Sequence, residues 1–130
     1  MNRTKIMLVM EPIAFRDKLI MQMGHEGFEV YVASSGHEAL NKLRECSVDE
    51  IVTQLNLPQF DGLELILNIR DLRLDIPIIA ISFNESEMVK EVLKAGATML
   101  LHNPVDPSAV IDLIKNSVDS NYGKKTGGFR

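Results

Sequence analysis

The sequence has little of several features that mark specialised classes of protein. Cys46 is the single cysteine among 130 residues, so a disulfide framework within the chain is excluded and a reducing compartment is favoured. Tryptophan is absent, and no apolar run is long enough to cross a bilayer. Glu11 interrupts the short apolar run near the start, where no cleavage-like site follows, so no signal peptide is indicated. These absences predict a cytoplasmic protein without a membrane segment.

Positive charge is not in excess. The chain has 14 lysines and arginines against 18 acidic residues, whereas a general nucleic-acid binder shows a basic face. Its hydrophobic content of 45% and charged content of 25% are ordinary for a globular domain. We therefore expect one domain over residues 1–120, a flexible glycine-rich tail over 121–130, and no nucleic-acid binding by this domain.

The motifs of common enzyme and cofactor classes are also missing. The segment MEPIAF, after the first apolar run, has no glycine-rich phosphate loop, and no Walker sequence occurs. His25, His37 and His102 are scattered, and no nucleophile–base pair is recognisable. We predict a non-enzymatic chain without a cofactor or a metal.

Short apolar runs alternate with segments of helical periodicity. The run IMLVM (6–10) is continuous, as expected for a strand buried on both faces, whereas FEVYVA (28–33) alternates as a strand. Apolar residues at helical spacing follow each strand. Ser35 and Glu38 form a capping box at one helix start, and Gly27 and Gly96 offer helix ends. The predicted strands cover residues 6–10, 28–33, 50–54, 76–82 and 97–103. Five predicted strands that alternate with five helices indicate a doubly wound parallel α/β sheet with helices on both faces.

Polar residues gather where these strands end. Ligands of doubly wound folds bind at the carboxyl ends of the strands, so we expect the side chains there to share one crevice. The residues at these ends are Met10, Glu11, Gln54, Ser82 and Asn103. Gln54 raises the central question of this site. A carboxylate at this position would suggest a chemical role, and a leucine would suggest a position in the apolar core.

The order of elements resembles the receiver domain of two-component response regulators. The loop LNLPQFDG, the strand PIIAIS and the segment AGATMLLHNPV carry the resemblance, with Pro58, Asp61-Gly62 and Pro104 as markers. It extends from about Lys5 to Val118. The resemblance implies a flavodoxin-like receiver fold with strand order 2-1-3-4-5.

Receiver domains accept a phosphoryl group from a histidine kinase on an aspartate that ends the third strand. The resemblance places that acceptor on Gln54, the Mg²⁺-binding acids on Met10 and Glu11, the hydroxyl on Ser82, and the lysine on Asn103. An amide cannot form an acyl phosphate, and Mg²⁺ strongly prefers carboxylate oxygens to amide or thioether. We interpret these positions as a degenerate phosphorylation pocket, which predicts a pseudo-receiver.

Three nearby positions carry further expectations from the resemblance. Phe83 replaces a small residue and is expected to crowd the pocket mouth. Leu100 takes the place of an aromatic switch residue. The bond between Asn103 and Pro104 is predicted to be cis.

The resemblance also implies how the chain acts. We expect a phosphorylation-independent protein-interaction module that binds a signalling protein partner, with a homodimer as one form. The interface is predicted on the fourth helix, fifth strand and fifth helix. Its candidate residues are Lys90, Glu91, Lys94, Leu100, Asp112 and Lys115. The alternative is a switch controlled by a small anion or metabolite bound in the degenerate crevice.

Overall fold

A computed structural model describes residues 3–57, 60–83, 89–102 and 105–127, with the backbone alone over 118–127. Within these residues five strands alternate with five helices along the chain. The strands are β1 (Lys5–Val9), β2 (Glu29–Ala33), β3 (Glu50–Gln54), β4 (Ile78–Ser82) and β5 (Met99–His102). The helices are α1 (Ala14–His25), α2 (Gly36–Glu45), α3 (Gly62–Asp71), α4 (Val89–Ala95) and α5 (Pro107–Gly127).

The strands form one parallel sheet in the order β2-β1-β3-β4-β5. The predicted doubly wound sheet is therefore confirmed. Central strand β3 is buried along its whole length, as is β4. Strands covered on both faces read as continuous apolar runs, which is why these segments were recognisable from sequence.

Each face of the sheet carries its own apolar core. One cluster joins the sheet to α2, α3 and α4, and it includes Ile51, Ile66 and Val92. The other joins the sheet to α1 and α5, and it includes Val52 and Ile114. Because successive side chains of a strand point to opposite faces, a residue's position in β3 decides which helices cover it.

The start of α2 follows its sequence signal. The Ser35 side chain accepts a hydrogen bond from the Glu38 N–H at 3.1 Å, which confirms the predicted cap of α2. The return bond differs from a standard capping box, because Glu38 Oε1 accepts from the N–H of Ser34 at 2.8 Å. This bond is the main reason that the pKa of Glu38 is lowered.

Arg70 joins the end of α3 to the end of α4. Its Nε and Nη2 donate to the Gly96 carbonyl at 3.1 and 2.7 Å, and its Nη1 donates to the Leu74 carbonyl at 2.6 Å. Gly96 has a φ of 125°, and a Cβ there would stand 2.6 Å from the Arg70 side chain. The guanidinium thus satisfies carbonyls just beyond α3 and α4 and fixes the end of α4 against α3.

The last helix runs further than the boundary drawn from sequence. We ended the domain at residue 120, whereas α5 continues to Gly127. A glycine inside a helix lowers its stability by about 1 kcal/mol relative to alanine. This loss does not end a helix that has already begun, because each added residue forms one more backbone hydrogen bond. The domain boundary and the flexibility of the tail stay predictions. Among the described helices none is long and apolar enough to cross a membrane.

Candidate functional site

Gln54 closes the carboxyl end of β3 with three side-chain hydrogen bonds. Its side chain is nearly buried, and its Oε1 accepts from the Glu11 N–H at 2.9 Å. Its Nε2 donates to Glu11 Oε2 at 2.9 Å and to the Asn56 carbonyl at 3.0 Å. Both amide protons and the amide oxygen are therefore used, and the partners fix which way round the amide lies.

This network needs an amide rather than a carboxylate. The Glu11 carboxylate and the Asn56 carbonyl are acceptors, so the group between them must donate twice. An ionised aspartate would accept only and would place a second negative charge beside Glu11. Hydrogen bonds to charged groups contribute about 1.5–3 kcal/mol each, so the bond to Glu11 ties β1 to β3 firmly.

Met10 lies in the core and contributes its backbone to this edge. Its side chain is fully buried in the cluster beneath α1 and α5, with Leu19 and Ile81. The Met10 carbonyl accepts from Arg16 Nη1 at 3.1 Å, and the same nitrogen donates to the Ser34 hydroxyl at 3.1 Å. Arg16 was not singled out from sequence, since a single arginine in a helix has no spacing signal.

The residues of this edge do not fit Mg²⁺. Glu11 Oε2 already accepts from Gln54, and the residue beside it is an apolar methionine packed in the core. Nowhere in the described parts of the chain do three histidine, cysteine or acidic side chains come together. Mg²⁺ demands several well-placed oxygens and gives up its water reluctantly, so this pair is insufficient.

Phe83 packs against Phe15 at the same end of the sheet. The ring centroids are 5.3 Å apart and the planes meet at 79°, which is a favourable edge-to-face contact. Phe15 belongs to α1 and Phe83 directly follows β4, so the contact links α1 to the carboxyl end of β4. Ser82, which precedes Phe83, is fully buried.

The loop from β3 to α3 explains two sequence markers. Asp61 caps α3, because its Oδ1 accepts from the Glu64 N–H at 3.0 Å. Gly62 donates to the Leu55 carbonyl at 2.9 Å, and a Cβ on it would stand 2.7 Å from the Gln54 carbonyl oxygen. Only a glycine lets α3 start this close to the end of β3.

The fifth-strand part of the predicted pocket lies outside the described residues. This applies to Asn103, to Pro104 and to the cis bond predicted between them. These three expectations stay predictions.

A family model for the response regulator receiver domain matches residues 6–115. The chain belongs to the response regulator receiver domain family. Receiver-domain signal transduction in two-component systems is therefore its function. Receiver domains are generally non-enzymatic signalling domains.

Two known signalling proteins are similar to this chain in sequence. The sensor histidine kinase RcsC of Escherichia coli K12 is 29% identical over 119 residues, which cover 90% of this chain and 12% of RcsC. The alkaline phosphatase synthesis transcriptional regulatory protein PhoP of Bacillus subtilis is 31% identical, over 88% of this chain and 48% of PhoP. The chain thus spans half or less of these two relatives' length.

A solved CheY-like receiver domain protein from Methanospirillum hungatei JF-1 has the same fold. It superposes with a TM-score of 0.88 at 25% identity and covers 95% of this chain and 99% of its own. The receiver fold thus accounts for nearly all of the chain.

Candidate interface residues of this receiver domain lie on α4, β5 and α5, which we call the α4–β5–α5 face. Five of the candidates are exposed, namely Lys90, Glu91, Lys94, Asp112 and Lys115. Leu100 is half-buried against the apolar cluster beneath α4. The exposed Lys115 side chain forms an ion pair with Glu26 at 2.8 Å.

Sequence reasoning missed the apolar part of this face. Val89 is 36% exposed and Leu93 is 44% exposed, and both lie on one side of α4 at a spacing of four residues. Met99, at the start of edge strand β5, is 39% exposed. The spacing of Val89 and Leu93 was visible in the sequence, but Val92, which is buried, lies between them. The apolar residues of this helix were therefore all interpreted as packing in the core.

Proposed function

We propose that this receiver domain is a pseudo-receiver, a non-enzymatic protein-interaction module that works without aspartyl phosphorylation, cofactor or metal. The observation that carries the proposal is the state of Gln54. The residue at the acceptor position is an amide whose donors and acceptor are all engaged by Glu11 and Asn56. It offers neither the carboxylate nucleophile nor the metal ligand that phosphoryl transfer needs.

The described part of the crevice gives the small-anion alternative no support. The Glu11 carboxylate stands beside Gln54 and repels an anion, and the Gln54 amide has no free proton to donate. Phe15 and Phe83 fill space on the same edge with aromatic rings. An interaction module is the simpler proposal.

Incubation with acetyl phosphate and Mg²⁺ should leave the mass of the intact chain unchanged. The reason is chemical, because an amide oxygen does not form a stable phosphoryl ester under these conditions. Intact-protein mass spectrometry measures the result, with a receiver domain that retains its aspartate as the positive control. An added phosphoryl group that is lost in base would contradict the pseudo-receiver proposal.

We further propose that the cytoplasmic partner is a signalling protein bound through the α4–β5–α5 face, with a homodimer as one form. Val89, Leu93 and Met99 supply exposed apolar surface there, and Lys90 and Glu91 supply charges of both signs around it. An apolar centre with a polar rim is the usual anatomy of a protein interface.

Leu93→Glu should weaken self-association of this chain by about tenfold or more, since burying one large apolar side chain contributes about 1.5–3 kcal/mol. Leu67→Glu is the matched control, because Leu67 is 51% exposed on α3, away from the face. Sedimentation velocity over a concentration series gives the dissociation constants. If both variants weakened self-association equally, the α4–β5–α5 face would not be the site of self-association. If the natural chain were a monomer at every concentration, the homodimer proposal would be wrong.

A further inference from the structure

Glu50 is a buried carboxyl group at the end of β3 opposite to Gln54. It is the first residue of β3, it is fully buried, and it pairs in register with Ile6 of β1. Neither of its carboxyl oxygens has a hydrogen-bond partner among the described residues. It shares its face of β3 with Val52, so it lies on the side covered by α1 and α5.

The charged groups at this end of the sheet do not neutralise Glu50. The Asp49 carboxylate accepts from the backbone N–H of Lys5 at 2.7 Å, and Lys115 of α5 is paired with Glu26 at 2.8 Å. No lysine or arginine within the described ranges donates to Glu50. The titratable groups on the surrounding elements are Lys5, His25, Glu26, Asp49, Asp112 and Lys115.

An isolated carboxyl group in this environment retains its proton. Burial raises the pKa of Glu50 from 4.5 to about 8, and the negative charge of Asp49 adds to the increase. The Ser117 hydroxyl of α5 acts in the opposite direction and lowers the pKa, although it lies outside hydrogen-bond geometry. Glu50 is therefore neutral in acid and at neutrality, and it ionises in mild alkali.

We propose that Glu50 is a proton-controlled contact between the sheet and α5, which packs α5 while it is neutral and loosens it when it is ionised. A buried charge without a partner must gain water or a cation, so some element has to move. Strand β3 is held by hydrogen bonds to β1 and β4 on both sides. Helix α5 is the last element of the fold and packs by side chains alone, so it opens at the lower cost.

The consequence is a receiver domain whose α5 responds to pH without any phosphoryl group. Helix α5 contributes Asp112 and Lys115 to the α4–β5–α5 face, so its loosening would alter that surface. The proposal does not depend on the pseudo-receiver proposal, because it concerns the other end of the sheet and a different chemistry.

Hydrogen–deuterium exchange of the full chain, corrected for intrinsic rates, tests the contact between about pH 7 and pH 9. We expect the α5 peptides of the natural chain to exchange about tenfold faster at the higher pH, since opening of α5 gains about tenfold per pH unit up to the Glu50 midpoint near 8 and levels off above it. Glu50→Gln should abolish this increase. Glu45→Gln, which changes the same charge at an exposed position, should keep it.

Three results would overturn the proposal. One is an unchanged pH response in Glu50→Gln, and another is an equal free energy of opening for β3 and α5 at each pH, which would mean that α5 opens only when the whole fold unfolds. The third is a carboxyl ¹³C titration of Glu50 with its midpoint near the ordinary 4.5. If Glu50→Gln does not fold, Glu50→Leu takes its place, since leucine is also neutral and packs in an apolar site.

Discussion

Gln54→Asp alone should accept phosphoryl groups at least about a hundredfold more slowly than a variant that also carries Met10→Asp and Asn103→Lys. The single change supplies an acceptor oxygen, but Glu11, just after β1, is the one acidic residue of the predicted metal-binding pair. Mg²⁺ then binds weakly against its own hydration. Asparagine at position 103 has no charge to offset the charge that develops on the phosphoryl group, and such contacts contribute about 2.7–4 kcal/mol each.

The structure adds a cost to the single change. Gln54→Asp removes the two bonds that the amide donates to Glu11 and Asn56, and it leaves two carboxylates side by side. We expect the folded single variant to gain stability with Mg²⁺, whereas the natural chain should not respond.

Phosphorylation rates are compared with the same donor and the same Mg²⁺ concentration. Because Met10 packs in the apolar core, thermal unfolding of each variant, and of Met10→Asp alone, controls for lost folding. Fast and equal rates in the single and triple variants would mean that Gln54 was the only obstacle.

Glu50→Leu should raise the free energy of unfolding by about 3 kcal/mol at pH 7. The carboxyl group has a pKa of 4.5 when unfolded and about 8 when folded, so the folded state holds the extra proton between these values. Stability from this group is fully present below pH 4.5, falls by about 1.4 kcal/mol per unit as pH rises, and is lost above about pH 8. Leucine is never ionised, and it fits the apolar surroundings.

Urea unfolding from about pH 5 to pH 9 gives the free energy of unfolding at each pH. The effect is measured as the difference between the natural chain and Glu50→Leu in how this free energy changes with pH. The gain from Glu50→Leu should be small in acid and largest in alkali. Glu45→Gln should follow the natural chain throughout, since Glu45 is exposed. A gain that is constant with pH would show that leucine improves packing and that ionisation plays no part.

The fold was largely predictable because its signals are local and redundant. Each buried strand was visible as an apolar run, and the cap at Ser35 was correctly placed. The end of α5 was not predictable, because a glycine-containing tail with weak periodicity does not reveal where a helix that has already begun will stop. Helix propagation is decided by the preceding turns more than by composition.

The position of Gln54 at the end of β3 was predictable, but the hydrogen bonds of its side chain were not. The resemblance placed Gln54 at the acceptor position, yet nothing in the sequence indicated its two bonds with Glu11, since they join residues 43 apart. Met10 was predicted to line the pocket, whereas its side chain lies in the apolar core. Glu50 was read as a strand residue, because the burial of a strand's first position depends on the helices that cover it.

The closed network at Gln54 bears on specificity in a cell that holds many histidine kinases. A receiver with a competent aspartate can take the phosphoryl group of a histidine kinase that docks on it. Under the pseudo-receiver proposal, a chain whose amide is engaged as in Gln54 would occupy the same docking surface without taking the group. Such a chain would act as an inert competitor, insulated from cross-phosphorylation, and its influence would follow its abundance rather than a covalent mark.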